Sequence, residues 1–198
     1  MGGLVPAPAL SRACRLLIPA GLIAAGAALL AWSAFIPAKA ALSQALLERA
    51  FAASLASAEP QRPWPWADTW PVARLEAEGR SLVVLAEGGG EALAFGPAHL
   101  AATPAPGEPG ISVIAAHRDT HFALLRTLEP GETVTVTGPD GEPRRFIMTG
   151  SDVVRHDASG IHPHDGGPPR LALVTCWPFG AVTPGPLRYI AWLAPAEA

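Results

Sequence analysis

Between Leu16 and Ile36 the chain runs 21 residues (LLIPAGLIAAGAALLAWSAFI) without one charged side chain. At 1.5 Å per residue, a helix of that length reaches roughly 30 Å, the hydrocarbon thickness of a bilayer. Trp32 stands near one end of the run, where an interfacial aromatic is common. Arg12 and Arg15 precede the run, and only Lys39 follows before Glu48 and Arg49. This asymmetry predicts a single-pass inner-membrane protein. Residues 1–15 are then cytoplasmic, 16–36 form a signal-anchor helix, and the rest lies in the periplasm or its equivalent outside the membrane. A cleaved signal peptide competes, because Ala38-Lys39-Ala40 has the small-x-small form of a cleavage site. The apolar core of such a peptide is about 7–15 residues, shorter than this run, which favours a retained anchor. Cys14 lies ahead of the run and does not read as a lipoprotein acylation site.

The remainder has room for one domain of ordinary size. The formal charge is only −3, with no basic block or arginine-rich arm, which argues against a nucleic-acid partner. A mean hydropathy of +0.27 is high for a soluble enzyme, and the apolar run is its cause. Twenty-two prolines and 20 glycines point to many turns and short elements. The orientation also separates the two cysteines. Cys14 falls inside and Cys176 outside, so they cannot pair within one chain, and the outer domain carries a lone thiol in an oxidising compartment. Spacing alone leaves two readings of Cys176 open, a buried small hydrophobe and a reactive group.

Ala40 to Ala58 is rich in Ala, Leu and Glu with apolar positions at helical intervals, and predicts a juxtamembrane helix. Pro60 to Pro71 (PQRPWPWADTWP) interrupts it with four prolines, so that 37–71 reads as helix plus linker. Trp64, Trp66 and Trp70 in that linker are expected to cap a core, with membrane docking or a groove wall as alternatives. From Val72 to the end, a single domain of short strands is expected. Ser81–Ala86 is a strand stopped by Gly88-Gly89-Gly90, and 91–100 holds a short helix. Ile111–Ala116 is an apolar strand, and Thr133–Thr137 alternates as a half-buried one. Across the turn GPDGEP, Arg145–Thr149 returns as the second arm of a hairpin. Leu171–Thr175 and Arg188–Ala194 complete the set. Seven or eight short strands with small helical insertions predict a mainly β domain, a closed barrel or a sandwich.

Three reactive side chains stand where an apolar strand meets a turn: His117, Cys176 and Arg188. A strand fixes the backbone while its end opens to solvent, which is how a rigid scaffold presents a reactive group. The segments carrying them are ISVIAAHRDTHF, LALVTCWPF and GPLRYI. In the order His, Cys, Arg these resemble the three signature segments of the sortases. HRDTHF and TCWPF are most similar to the sortases of Gram-negative bacteria. GPAHL around His99 and GEPG ahead of the histidine strand share the likeness, which covers about Val72 to Ala194. The family's cysteine segment usually reads Thr-Leu-x-Thr-Cys; here it is Ala172-Leu173-Val174-Thr175-Cys176, and Ala116 stands where a glycine usually precedes the histidine.

The resemblance implies an eight-stranded β-barrel with short helices behind an N-terminal transmembrane helix. It also implies a cysteine transpeptidase, a thiol peptidase in class. Cys176 is then the nucleophile, His117 its partner and Arg188 the support of substrate and oxyanion. The substrate implied is a protein bearing an LPxTG-like C-terminal sorting signal; the acceptor amine is left unidentified. With ordinary pKa values of about 8.5 and 6.5, only ~1% of molecules would carry thiolate and imidazolium together, so the two groups must be brought close. Thr175 contributes to the substrate pocket or merely packs in its strand. Asp119 orients the loop or the imidazole, or is a solvated turn residue. His121 is a further candidate beside the substrate.

His117 and His121 are four apart, and His156, His162 and His164 lie close in sequence, but no cysteine or carboxylate is spaced to complete a zinc site. No metal is expected, and there is no signature for a nucleotide, flavin or haem cofactor. The stretch around those three histidines is expected to border the substrate groove. Two rival functions remain. An L,D-transpeptidase would carry Ser-x-Gly-Cys followed closely by arginine, whereas here Arg188 comes twelve residues after Cys176. A non-catalytic membrane-tethered β-domain binding an envelope partner through its tryptophans would leave Cys176 unreactive.

Overall fold

The computed structural model describes residues 12–86, 90 and 92–196. Residues 1–11 of the expected cytoplasmic segment, Gly88 and Gly89 of the expected glycine stop, and Glu91 at the head of the expected short helix lie outside the described residues, as does the side chain of Cys14. Two compact units divide the chain, Met1–Leu42 and Ser43–Ala198.

The first unit contains the leading part of α1 (Arg12–Ser57), which passes through Pro19 and Pro37 without interruption. Each proline forfeits one backbone donor, which ordinarily kinks or stops a helix. Sequence reasoning placed two helices here, and the structure joins them. Leu22, Ile23, Leu29, Leu30, Trp32 and Phe35 all stand exposed on it. Among the described residues it is the one helix long and apolar enough to cross a membrane.

In the second unit the last turns of α1 pack on the barrel. Leu47 and Phe51, four apart and so on one helix face, are wholly buried against Val83, Leu85 and Ala92. Burying two such side chains is worth about 1.5–3 kcal/mol each. The Arg74–Glu48 ion pair beside them is 31% and 42% exposed at its two side chains and adds about 1 kcal/mol at most. Apolar contact therefore holds the helix to the barrel. Ser54 closes the helix end: its hydroxyl donates to Ala50 O at 3.0 Å and accepts from the Gln61 N–H at 2.9 Å.

The barrel comprises β1 (Pro71–Ala77), β2 (Arg80–Ala86), β3 (Ala98–His99), β4 (Ile111–Ala115), β5 (Thr133–Thr137), β6 (Pro143–Arg155), β7 (Arg170–Cys176) and β8 (Leu187–Pro195). It closes in the order β1-β2-β3-β4-β7-β8-β6-β5. The β2–β3 and β4–β7 pairs are parallel and the others antiparallel. A closed eight-stranded barrel is the outcome expected from the resemblance. Closure leaves no unpaired sheet edge, and alternate residues of each strand point inward. On β5, Val134 and Val136 are buried while the threonines face out, as the alternation predicted. Leu75, Val84, Ile114, Phe146, Leu171 and Leu173 fill the interior with them.

The short helix expected within 91–100 is α2 (Ala92–Phe95), which ends at Gly96 and Pro97 before β3. Two features depart from the sequence reading. The hairpin's second arm is not five residues but thirteen. A register irregularity between Met148 and Gly150 lets β6 continue along β8 after it leaves β5. Of the linker tryptophans, Trp64 meets Phe95 edge-on at 5.1 Å and Trp70 is half-buried, whereas Trp66 is 82% exposed and caps nothing.

Candidate active site

Cys176 is the last residue of β7, and its cross-strand partner on β8 is Arg188. Antiparallel partners have Cα atoms about 4.5–5.5 Å apart and side chains on the same face. On the other side of β7, the parallel ladder to β4 runs from Ile111↔Arg170 to Ala115↔Val174. Two bonds extend that zipper past the end of β4. The Ala116 N–H donates to Val174 O at 3.2 Å, and the buried Thr175 hydroxyl donates to Ala116 O at 2.7 Å. β4 itself ends at Ala115, so His117 follows two residues beyond the strand, on the side of β7 opposite β8 and toward the end that carries Cys176.

Face parity brings the three together. Leu171, Leu173, Ile114, Ala191 and Leu193 point into the barrel core. The residues between them, Ala172 and Val174 on β7, Ile111 and Val113 on β4, and Ile190 and Trp192 on β8, form a separate apolar cluster on the outer face. With a side-chain period of two, Cys176, His117 and Arg188 continue that outer row. The three candidate side chains thus stand at one end of an outer apolar cluster. Leu100, Val154 and Ile161 are partly buried against the same cluster. The segment 156–169 crosses it, pinned by the Ile111 N–H to Pro163 O at 2.9 Å and by the Gly110 N–H to Gly167 O at 3.0 Å.

His117 is exposed, and Cys176 and Arg188 are half-buried. One arginine Nη donates to Gly185 O and Leu187 O, both at 2.9 Å, leaving the rest of the fork for other acceptors. Behind Cys176, Trp177, Phe179 and Tyr189 form an aromatic trio with ring centroids 5.3–5.9 Å apart. Tyr189 and Phe179 are also packed on the core, and the Trp177 N–H donates to Leu187 O at 3.0 Å. The backbone that carries the thiol is thereby fixed on both sides.

The remaining expected residues fall out as follows. Thr175 faces the core and acts as a strut between strand ends. Asp119 is exposed, with its carboxylate 3.5 Å from the Arg118 Nε. His121 opens a 3₁₀ turn, His121–Arg126, and is half-buried. Burial chiefly, and then the neighbouring His117, push its pKa below the ordinary histidine value. The three later histidines do not converge: His164 Nε2 lies 3.1 Å from Ala102 O, and His162 lines a cavity elsewhere. Among the described residues no group of three or more His, Cys, Asp or Glu is arranged to hold a metal ion.

A cavity of about 610 Å³ opens toward the far end of the outer face, lined by Asp152, His162, Asp165, Arg170 and Trp192. Cys176, His117 and Arg188 do not line it. Sequence reasoning passed over Arg118, which is 7% exposed and bonds the carbonyls of Ala181 and Thr183. Its only signal was a charge directly after the candidate histidine.

A sortase-domain model matches residues 74–196. No curated protein matches the sequence. Among solved structures the chain is similar to sortase A from Corynebacterium diphtheriae, at 19% identity and a TM-score of 0.60, over 67% of this chain and 64% of that one. This chain thus spans less than two thirds of the Corynebacterium chain's length. Sortase C-1 from Actinomyces oris is 25% identical, with a TM-score of 0.54, over 65% of this chain and 76% of that one. A Clostridium perfringens sortase D5 transpeptidase gives 18% identity and a TM-score of 0.60, over 79% and 99%. At 18–19% identity the likeness establishes the barrel alone. The domain match runs from within β1 to the end of β8, more than half of the chain, and on that ground the chain belongs to the sortase family.

Proposed function

We propose that the chain is a membrane-anchored cysteine transpeptidase, of the type found in Gram-negative bacteria, that cleaves an LPxTG-like sorting signal and transfers the acyl fragment to an amine. The observation that carries this reading is the pairing of Cys176 with Arg188 across one ladder, with the β4 register leading to His117 on the other side. The Cys176 thiolate attacks the carbonyl carbon of the scissile Thr–Gly bond. Arg188, through the donors not engaged by Gly185 and Leu187, stabilises the oxyanion that forms. His117 as imidazolium delivers its proton to the leaving nitrogen; the C–N bond breaks and a thioester remains on Cys176. An incoming amine attacks that thioester, His117 takes its proton, and the thiolate leaves as the new amide forms.

The half-buried Val174 and Trp192 of the outer apolar cluster suit the Leu and Pro of such a signal, and the 156–169 segment forms a wall of the groove. The exposed apolar side chains of α1 support an anchor, with the barrel on the outer side of the membrane, because water would otherwise meet them. An L,D-transpeptidase reading has no such supporting observation.

The test is a transfer assay: residues 43–198, a peptide containing LPxTG, and hydroxylamine. A threonyl hydroxamate fragment that requires both Cys176 and the amine supports the reading. Cleavage that ignores the amine, or turnover of peptidoglycan stem peptides instead, overturns it.

A further inference from the structure

We propose that Arg118 is a positioning residue that clamps the loop between β7 and β8 and, through that loop, orients Arg188. The part concerning catalysis rests on the transpeptidase reading above; the part concerning the clamp does not. Charged side chains are seldom buried unless something specific holds them, yet Arg118 is only 7% exposed. Its guanidinium donates to Ala181 O and, at 3.2 Å, to Thr183 O, residues 63 and 65 positions further along the chain. Asp119, its one acidic neighbour, is 60% exposed at the side chain and 3.5 Å away. The buried charge is therefore met chiefly by two backbone carbonyls of one loop.

The next two alternate carbonyls go to the other arginine: Gly185 O of the same loop and Leu187 O, at the first residue of β8, accept from Arg188, each at 2.9 Å. Four carbonyls at every second residue, 181, 183, 185 and 187, are thus divided between two guanidiniums. Arg118 grips the loop from the histidine side and Arg188 from its own strand. Where the loop lies decides where Gly185 O lies, and Gly185 O together with Leu187 O fixes one end of the Arg188 fork. Arg118 Nη1 is also buried without a hydrogen-bond partner. A merely structural arginine would be expected to satisfy that donor, since an unpaired buried N–H costs more than a typical hydrogen bond returns. Held in this way, Arg118 couples the segment that carries His117 to the loop that follows Cys176.

The experiment uses the full chain in detergent. It compares the parent with Arg118→Ala, Arg118→Lys, Arg188→Ala and the Arg118→Ala/Arg188→Ala pair. Without substrate, hydrogen exchange is read at the Trp177 and Ala181 amides, which bond Leu187 O and Pro178 O inside the loop. The clamp requires exchange there to quicken at least tenfold in Arg118→Ala, with strand β5 unchanged. With an LPxTG peptide, kcat should fall about 10- to 100-fold while KM moves less than threefold. Arg118→Lys, which keeps the charge without the fork, should recover part of the loss. In the double variant, Arg118→Ala should add less than threefold to the loss caused by Arg188→Ala, because both act through one group.

Parental exchange in the loop, or a full multiplicative loss in the double variant, overturns the proposal. If Arg118→Ala does not fold, Arg118→Lys carries the same exchange and kcat readings. A parent that forms no product overturns the transpeptidase reading and leaves the exchange result to decide the clamp.

Discussion

Cys176 and Arg188 are direct cross-strand partners at the open end of the β7–β8 ladder, so thiol and guanidinium share one face with no residue between them. Their spacing is set by the backbone ladder rather than by side-chain contact. The account gives the pair unequal tasks, covalent chemistry for one and charge stabilisation for the other, and substitutions should separate them.

Arg188→Lys keeps the charge but loses the planar fork whose one arm is held by Gly185 O and Leu187 O. Losing a donor to a developing oxyanion costs roughly 10²–10³ in kcat. The expected result is a fall of about a hundredfold in kcat with the rate of Cys176 labelling by a thiol probe unchanged. A matching fall in labelling would assign Arg188 to thiol activation instead.

Thr175→Val removes the 2.7 Å bond to Ala116 O at nearly constant volume and leaves a buried carbonyl unpaired. A buried acceptor left without a donor costs about 1–3 kcal/mol. Urea unfolding of residues 43–198 should register that loss, and transfer activity should fall because the strut that sets the Cys176 and His117 strand ends is gone. Unchanged stability would mean that the hydroxyl is not a strut.

His121 makes a prediction in pH. Burial first, then His117, lower its pKa in the folded state below the unfolded value of about 6.5. The unfolded chain therefore binds the extra proton more readily. The stabilising term is fully present above about pH 6.5 and is lost as pH falls toward the folded pKa. In His121→Phe the slope of stability against pH just below 6.5 should flatten. His121→Lys places a permanent charge beside His117, which disfavours the imidazolium and should move the alkaline limb of the kcat/KM profile to lower pH. An alkaline limb that stays in place would show that the two side chains do not interact.

Phe51→Ala tests the docking of the end of α1. Phe51 is wholly buried with Leu47, Val83 and Leu85, and truncating such a side chain costs about 3–5 kcal/mol. Glu48→Ala, which removes only the half-exposed ion pair with Arg74, should cost about 1 kcal/mol or less. Denaturant midpoints for the two variants should differ accordingly. Equal effects would mean that charge, not apolar contact, holds the helix.

Which parts of this were readable in advance follows from where the information lies. Strands β4, β5, β7 and β8 were legible because apolar runs or strict alternation end at a turn or at a reactive residue. Strand β3 was not: two residues, Ala98 and His99, carry no period, and only the parallel match to Leu85 and Ala86 makes them a strand. The length of β6 was hidden because the expected arm stops at Thr149, where a register irregularity between Met148 and Gly150 lets the strand continue along β8. Candidate residues at strand ends could be named from sequence, since His117 and Cys176 follow an apolar run and Arg188 opens one. Arg118 could not be given a task, because its acceptors are backbone carbonyls more than 60 residues away and carbonyls have no letter in the sequence. Trp66 erred in the other direction: tryptophan favours burial on average, but Pro63, Pro65 and the turn between them hold this one in solvent.

The central claim is that Cys176 becomes acylated. Residues 43–198 mixed briefly with an LPxTG peptide, quenched in acid and weighed intact, test it without any acceptor. The account predicts an added mass equal to the peptide fragment ending in threonine, located at Cys176, released by hydroxylamine and absent from Cys176→Ala. Peptide cleavage without any adduct, or an adduct that persists in Cys176→Ala, would contradict it.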